Sequence, residues 1–201
     1  ANYLAAKYNF NLSTYDIYDE DDNGNYDFEV AGIGRVNGSN IHNSAQGTGI
    51  VSLQNPSGLA DNEFPIWGHD NGALLSSNTT DVPATVLTRF DRVWRVSEVN
   101  ISAAAVDVGT VDIRFDLTGL GTFTPTDLSL LVDSDNDGVF DDESPIYGAT
   151  HLGGNLYEFA AVSSLANNLR FTLGTLSDFQ INLPIELLSF AATPINNKYV
   201  Q

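Results

Sequence analysis

The chain is predicted to be all-β, an antiparallel β-sandwich preceded by a short helical turn, on three grounds. Val111, Ile113, Phe115 and Leu117 alternate with Asp112, Arg114 and Asp116, a period of two that buries one face of a strand and wets the other. Short apolar runs recur between clusters such as Asn37-Gly38-Ser39-Asn40, Asn55-Pro56-Ser57-Gly58 and Gly153-Gly154-Asn155, whose residue types supply the backbone conformations that turns require. Amphipathic helical stretches of about 10–15 residues are missing between those runs, so a helix-rich α/β fold is not expected.

Taken in order, the elements follow from residue type. Tyr3-Leu4-Ala5-Ala6-Lys7-Tyr8 has the composition for one or two helical turns and is the sole helical candidate. Strands are expected over residues 28–33, 49–53, 64–67 and 82–87, where β-branched and aromatic residues concentrate. Residues 90–99 form another, less strictly alternating, followed by the clear strand 111–117 and by 128–132, 156–162 and 169–173. The Gly119-Leu120-Gly121 and Thr124-Pro125-Thr126 turns are flanked by periodic strands, so they do not mark a linker. Residues 1–180 therefore read as one domain. Residues 181–201 read as a separate apolar, extended segment, with Leu183-Pro184-Ile185-Glu186-Leu187-Leu188-Ser189-Phe190-Ala191-Ala192 at its centre. Such a run is costly to leave solvated and is expected to pair with something.

Composition narrows the function. The 201 residues carry 8 Lys+Arg against 26 Asp+Glu, a formal charge of −18. Nucleic acid is excluded as a partner, because binding a phosphate backbone needs clustered cations, and an anionic membrane surface is excluded for the same reason. With 42% hydrophobic residues the chain can bury a proper core, unlike a disordered acidic tail. Zero cysteines rule out disulfides, thiolate zinc and a cysteine nucleophile. No apolar run of about 18 residues is present, so membrane insertion is not expected, nor is there a basic-then-apolar leader. The abrupt start at Ala1 and stop at Gln201 are expected of a mature product or a slice of something longer.

Two segments share one chemical pattern. Residues 19–27 read Asp-Glu-Asp-Asp-Asn-Gly-Asn-Tyr-Asp, and residues 133–141 read Asp-Ser-Asp-Asn-Asp-Gly-Val-Phe-Asp. Oxygen donors at loop positions 1, 3, 5 and 9, with glycine at 6, are what a hard cation such as Ca²⁺ takes. The expected ligands are Asp19, Asp21, Asn23, Asn25 and Asp27 in one loop, and Asp133, Asp135, Asp137, Val139 and Asp141 in the other. Asn25 and Val139 would donate backbone carbonyls, while Tyr26 and Phe140 would pin each loop to the core. Position 12 is Val30 or Ser144 instead of the bidentate glutamate of a helix–loop–helix sensor, so Glu143, with Glu29, Asp22 or Asp142, is a candidate to complete coordination. Strand-like flanks make these calcium loops of a β-module. A plain polar turn is the competing reading. The full prediction is thus a β-sandwich with calcium-binding loops, Ca²⁺ serving a structural purpose.

Other signals are weaker. His42, His69 and His151 have no metal or triad spacing, and Asn71-Gly72 after His69 suggests a hairpin turn. No nucleophile elbow or phosphate loop occurs, so no catalytic residues are assigned and the protein is not expected to be an enzyme. Trp67 and Trp94 could be sugar-stacking platforms, but their strand contexts favour core packing.

Tyr3-Leu4-Ala5-Ala6-Lys7-Tyr8-Asn9, Ala31-Gly32-Ile33-Gly34-Arg35, Phe64-Pro65-Ile66-Trp67-Gly68-His69-Asp70, Arg92-Val93-Trp94-Arg95-Val96 and Leu130-Leu131-Val132-Asp133-Ser134-Asp135 together resemble a β-sandwich module that recurs in large secreted surface proteins of Bacteroidota. The segment 183–190 is similar to the stretch that precedes a C-terminal type IX sorting domain in such proteins. The resemblance implies an extracellular or cell-surface protein with structural or adhesive roles, and it supplies no catalytic residues. The expected function is a non-catalytic, calcium-stabilised surface protein, a filament subunit if segment 183–192 adds to a neighbouring sheet. Its partners would be further copies or neighbouring domains of the same protein. The alternative is a carbohydrate-binding module that attaches to polysaccharide.

Overall fold

The computed structural model describes residues 1–18, 24–74 and 76–177. Among the described residues one α-helix, α1 (Asn2–Tyr8), opens the chain, a short 3-10 turn covers Pro125–Asp127, and the other elements are strands: β1 (Phe28–Gly32), β2 (Gly34–Asn37), β3 (Asn40–His42), β4 (Ser44–Ala45), β5 (Val51–Gln54), β6 (Glu63–His69), β7 (Ser77–Asn78), β8 (Thr88–Phe90), β9 (Trp94–Asn100), β10 (Val111–Asp116), β11 (Leu128–Asp133), β12 (Ile146–Tyr147), β13 (Thr150–Gly153), β14 (Leu156–Val162) and β15 (Arg170–Thr175). Every ladder among them is antiparallel. The larger sheet runs β12-β11-β15-β9-β6-β2-β3, with β1 on β6 and the β7–β8 pair on β15; the smaller runs β13-β14-β10-β5-β4. The all-β, sandwich-like architecture read from the sequence is therefore present.

The two sheets share one core. Strand β10 shows the predicted alternation directly, with Val111, Ile113 and Phe115 buried and Asp112, Arg114 and Asp116 half-exposed. Phe115 meets Trp94 of the opposite sheet edge-on at 5.8 Å, and Trp94 stacks on Phe171 at 6.0 Å. Each fully buried side chain of this size contributes about 1.5–3 kcal/mol of transfer free energy.

The larger sheet is also covered on its outer face. Strand β9 is buried along almost its entire length, because Trp94 and Val96 point into the shared core while Val99 joins a second cluster with Ala6, Ile17, Tyr18, Val30 and Ile66. The N-terminal segment forms this cover. Asn2 anchors it, its Oδ1 accepting from the Ile17 amide at 3.1 Å and its Nδ2 donating to the Tyr15 carbonyl at 3.2 Å. Farther along, the Tyr18 hydroxyl donates to the Tyr26 carbonyl at 2.8 Å directly over Gly68, where a Cβ would stand 2.1 Å from that carbonyl. Only glycine lets the strap lie so close.

Several sequence expectations need correcting. Residues 82–87 are not a strand: the Val86 amide closes a turn onto the Pro83 carbonyl at 2.8 Å, and pairing begins only at Thr88. Asn71-Gly72 is not a hairpin turn, because β6 pairs with the distant β9; the chain instead turns on Asp70, whose Oδ1 accepts from Gly72 at 2.8 Å. The β2–β3 hairpin and the short strands β4, β7, β12 and β13 went unpredicted, being too polar or too brief to show a period. Residues 178–201, including the expected strand 183–190, lie outside the described residues.

Candidate metal centre

Strand β11 delivers Asp133 to the outer face. Leu128, Leu130 and Val132 of that strand enter the shared core, which turns Leu131 and Asp133 the other way. Asp133 is completely buried. From there the chain turns sharply through Asn136 at φ 61° and Gly138 at φ 102°. The second value lies where side chains are strained, and a Cβ at Gly138 would also stand 3.3 Å from an Arg170 guanidinium nitrogen.

This turn folds the carboxylates of Asp133, Asp135 and Asp137 together, with one oxygen of each within 4.8 Å of the others. The backbone holds them there. Asp133 accepts from the amides of Asp137 and Gly138 at 3.1 Å each, Asp135 from Asp137 at 3.2 Å, and Asp137 from Val139 at 2.9 Å. Each carboxylate oxygen offers two lone pairs, so these bonds leave part of the trio's acceptor capacity unused. Burial pushes the Asp133 carboxyl above its ordinary value, and the Arg170 guanidinium opposes that push. A trio of hard oxygen donors in a tight glycine turn suits a hard divalent cation.

The remaining expected ligands are placed as follows. Glu143 closes the mouth of the turn, accepting from the Ser134 amide and, at 2.8 Å, from the Ser134 hydroxyl. Asp141 and Val139 are exposed, and Asp141 stands outside the three-carboxylate group. In the other acidic segment, Asp19, Asp21 and Asn23 lie outside the described residues, Asn25 is exposed and Asp27 half-buried. Glu29 is committed elsewhere: its Oε2 lies 2.9 Å from His69 Nε2 and 3.4 Å from Arg92 Nη1. His69 Nδ1 accepts from the Asn71 amide at 2.9 Å, so this buried ring is satisfied on both sides. Burial, followed by the Arg92 charge, holds its pKa below the ordinary value.

Three residues that support the turn carry no signal in the sequence. Arg170 is the register partner of Asp133 and reaches its Oδ2 at 2.5 Å. Asp81 accepts from the Phe140 amide at 2.6 Å, and its other oxygen lies 2.6 Å from Arg89 Nη2. Arg89 in turn lies 4.9 Å over the Phe140 ring. Phe140, 2% exposed, packs in one cluster with Tyr26, Val86, Val93 and Leu131. Thus Tyr26 and Phe140, each two residues after the glycine of its acidic segment, reach the same cluster. A basic residue somewhere opposite a buried aspartate could have been anticipated; which one could not.

A family model described as Domain of unknown function (DUF8202) matches residues 1–168, and the chain belongs to that family. No match was found among curated proteins or among solved structures. The matched span stops just short of β15, which nonetheless lies between β11 and β9 and supplies Arg170.

Proposed function

We propose that this member of the DUF8202 family is a non-catalytic, calcium-stabilised building block of an extracellular or cell-surface protein, with a structural or adhesive role. The observation that carries the reading is the convergence of Asp133, Asp135 and Asp137 in a glycine turn anchored to the core by Phe140. Calcium takes six to eight oxygens in flexible geometry, and this turn brings three carboxylates together, two of them exposed. A bound ion would also relieve local repulsion in a chain of formal charge −18. Rigidity gained from ions instead of disulfides suits a cysteine-free module, and the resemblance to secreted surface proteins supports the location.

The carbohydrate-binding alternative draws no support from the tryptophans, since Trp67 and Trp94 are 1% and 2% exposed and cannot stack on a sugar. Isothermal titration with calcium, paired with thermal melts in calcium and in excess chelator, tests the proposal. Binding with a melt that falls in chelator is expected. No binding and superimposable melts would reject it.

A further inference from the structure

Strand β9 carries a carboxyl group into the sandwich interior. Trp94 and Val96 point from β9 into the shared core, and strand alternation turns Glu98 to that same inner face. Glu98 is 1% exposed, and neither of its carboxylate oxygens has a hydrogen-bond partner among the described residues. Its main chain, by contrast, is bonded on both sides, the amide donating to Asn167 Oδ1 at 2.9 Å and the carbonyl accepting from the Val106 amide at 2.9 Å. The backbone is thus fixed around a side chain that gains nothing polar where it lies.

The elements packed around Glu98 bring no counter-charge. On β6, Pro65 is its register partner and Glu63 its diagonal neighbour on the same face. The connection between β9 and β10 brings Asp107 and the Val108 backbone, and the connection before β15 brings the uncharged Asn167. Among the described residues, both charges that act on Glu98, Asp107 and Glu63, are therefore negative. A carboxyl group without donors and beside like charges keeps its proton. Burial first, then those two charges, with the Val108 backbone opposing them, push it up to about 7.

Once the proton leaves, water must reach the carboxylate through the wall that yields most readily. Strands β6 and β9 stay in register from Glu63–Asn100 to His69–Trp94, so neither offers a way in. The β9–β10 connection is weaker. Of residues 101–110 only Val108 is buried, and Ala103 holds φ 60°, where a side chain is strained. Little buried apolar surface marks a segment at the low-stability end of a fold. We propose that loss of the Glu98 proton lifts this connection away from the sandwich and leaves both sheets paired, which makes residues 101–110 a flap operated by pH. In the closed flap Glu98 needs its proton; in the open one it is an ordinary solvated acid. Rising pH between about 4.5 and about 7 therefore favours opening, and the preference then levels off.

Hydrogen exchange of the full chain in excess chelator at pH 4, 6 and 8, with and without sub-denaturing urea, tests the flap and keeps the test apart from the calcium reading. The reporters are the amides of Val106 and of Gly58, which donates to the Val108 carbonyl at 2.8 Å. After correction for the intrinsic exchange rate, their protection is expected to fall on the order of 100-fold from pH 4 to pH 8, and to be insensitive to urea. Amides of β10 and β14 should exchange through urea-sensitive global opening. In Glu98→Gln, which keeps the shape and cannot ionise, the reporters should hold the same protection at all three pH values. Reporter protection that is constant with pH in the parent, a reporter response as urea-sensitive as that of β10, or a Glu98→Gln variant that keeps the parent's pH response would each overturn the proposal. A chelator-insensitive melt would remove the calcium reading and leave the flap standing, whereas calcium binding by a chain with pH-independent reporters would do the reverse.

Discussion

Arg170 and Asp133 face each other across β15 and β11, with Nη2 2.5 Å from Oδ2 and the aspartate completely buried. The row continues across the sheet, because Arg170 pairs with Arg95 and Arg95 with Gly68. Arg95 lies 5.6 Å from the Tyr18 ring and 5.1 Å from the Tyr26 ring. One line of residues thus joins the Asp133 turn to the strap that carries the other acidic segment.

Removing Arg170 should be severe without a cation and milder with one. Arg170→Met leaves a buried carboxylate without its counter-charge, a loss of about 3–5 kcal/mol. On the proposed reading, saturating calcium supplies a replacement charge beside the same carboxylate. Urea denaturation with and without calcium should show the deficit shrinking when the ion is present; equal deficits would place the ion elsewhere.

Asp135 and Asp137 are exposed and make only local bonds, so Asp135→Asn and Asp137→Asn should barely alter the melt in chelator. They should lower the stabilisation expected of calcium on the proposed reading, which for a site held at 100 times its Kd is about 2.7 kcal/mol. Melts over a calcium series check this, and variants that retain the full calcium increment would refute it.

Glu98 should make stability depend on pH in a defined direction. It is 1% exposed, with neither carboxylate oxygen hydrogen-bonded. Burial chiefly, opposed by the Val108 backbone and reinforced by repulsion from Asp107 and Glu63, pushes its carboxyl from the ordinary 4.5 up to about 7. Between those values the unfolded chain releases a proton that the folded chain keeps, so stability falls as pH rises from about 4.5 to about 7 and then stays reduced, by roughly 3 kcal/mol. Glu98→Gln should match the parent at pH 4 and exceed it at pH 8. Guanidinium unfolding at pH 4, 6 and 8 measures the difference, and a pH-independent one would exclude Glu98 as its source.

Gly68→Ala should detach the strap, since its Cβ would stand 2.1 Å from the Tyr26 carbonyl and 2.8 Å from the Tyr18 hydroxyl. Tyr18→Phe, which removes one buried hydrogen bond, should cost about 1 kcal/mol. Hydrogen exchange should show the glycine variant losing protection at Tyr18, Tyr26 and β1 while β10 and β14 stay protected. Uniform loss would mean that the strap and the core unfold as one.

Much of the fold was legible because it depends on local periodicity. The β10 alternation and the apolar runs that became β11, β14 and β15 are dictated by which residues must leave water. The 82–87 stretch misled for the converse reason: its residues have strand propensity, but Pro83 and the turn it closes serve the neighbouring β8 and the Asp81 contact. Likewise, Glu29 has the look of a metal ligand in a linear reading and turns out to hold His69 and Arg92.

By itself the sequence determined the all-β class, the buried face of each regular strand, and a turn in which Asp133, Asp135 and Asp137 converge. These rest on interactions within a few residues, where chain geometry leaves few choices. Only the tertiary structure decided that Arg170 faces Asp133, that Asp81 holds Phe140 from 59 residues away, and that Gly68 lies beneath the strap. Those pairings follow from strand order, which is a property of how the whole chain minimises exposed apolar surface and unpaired backbone, and no local stretch contains that information.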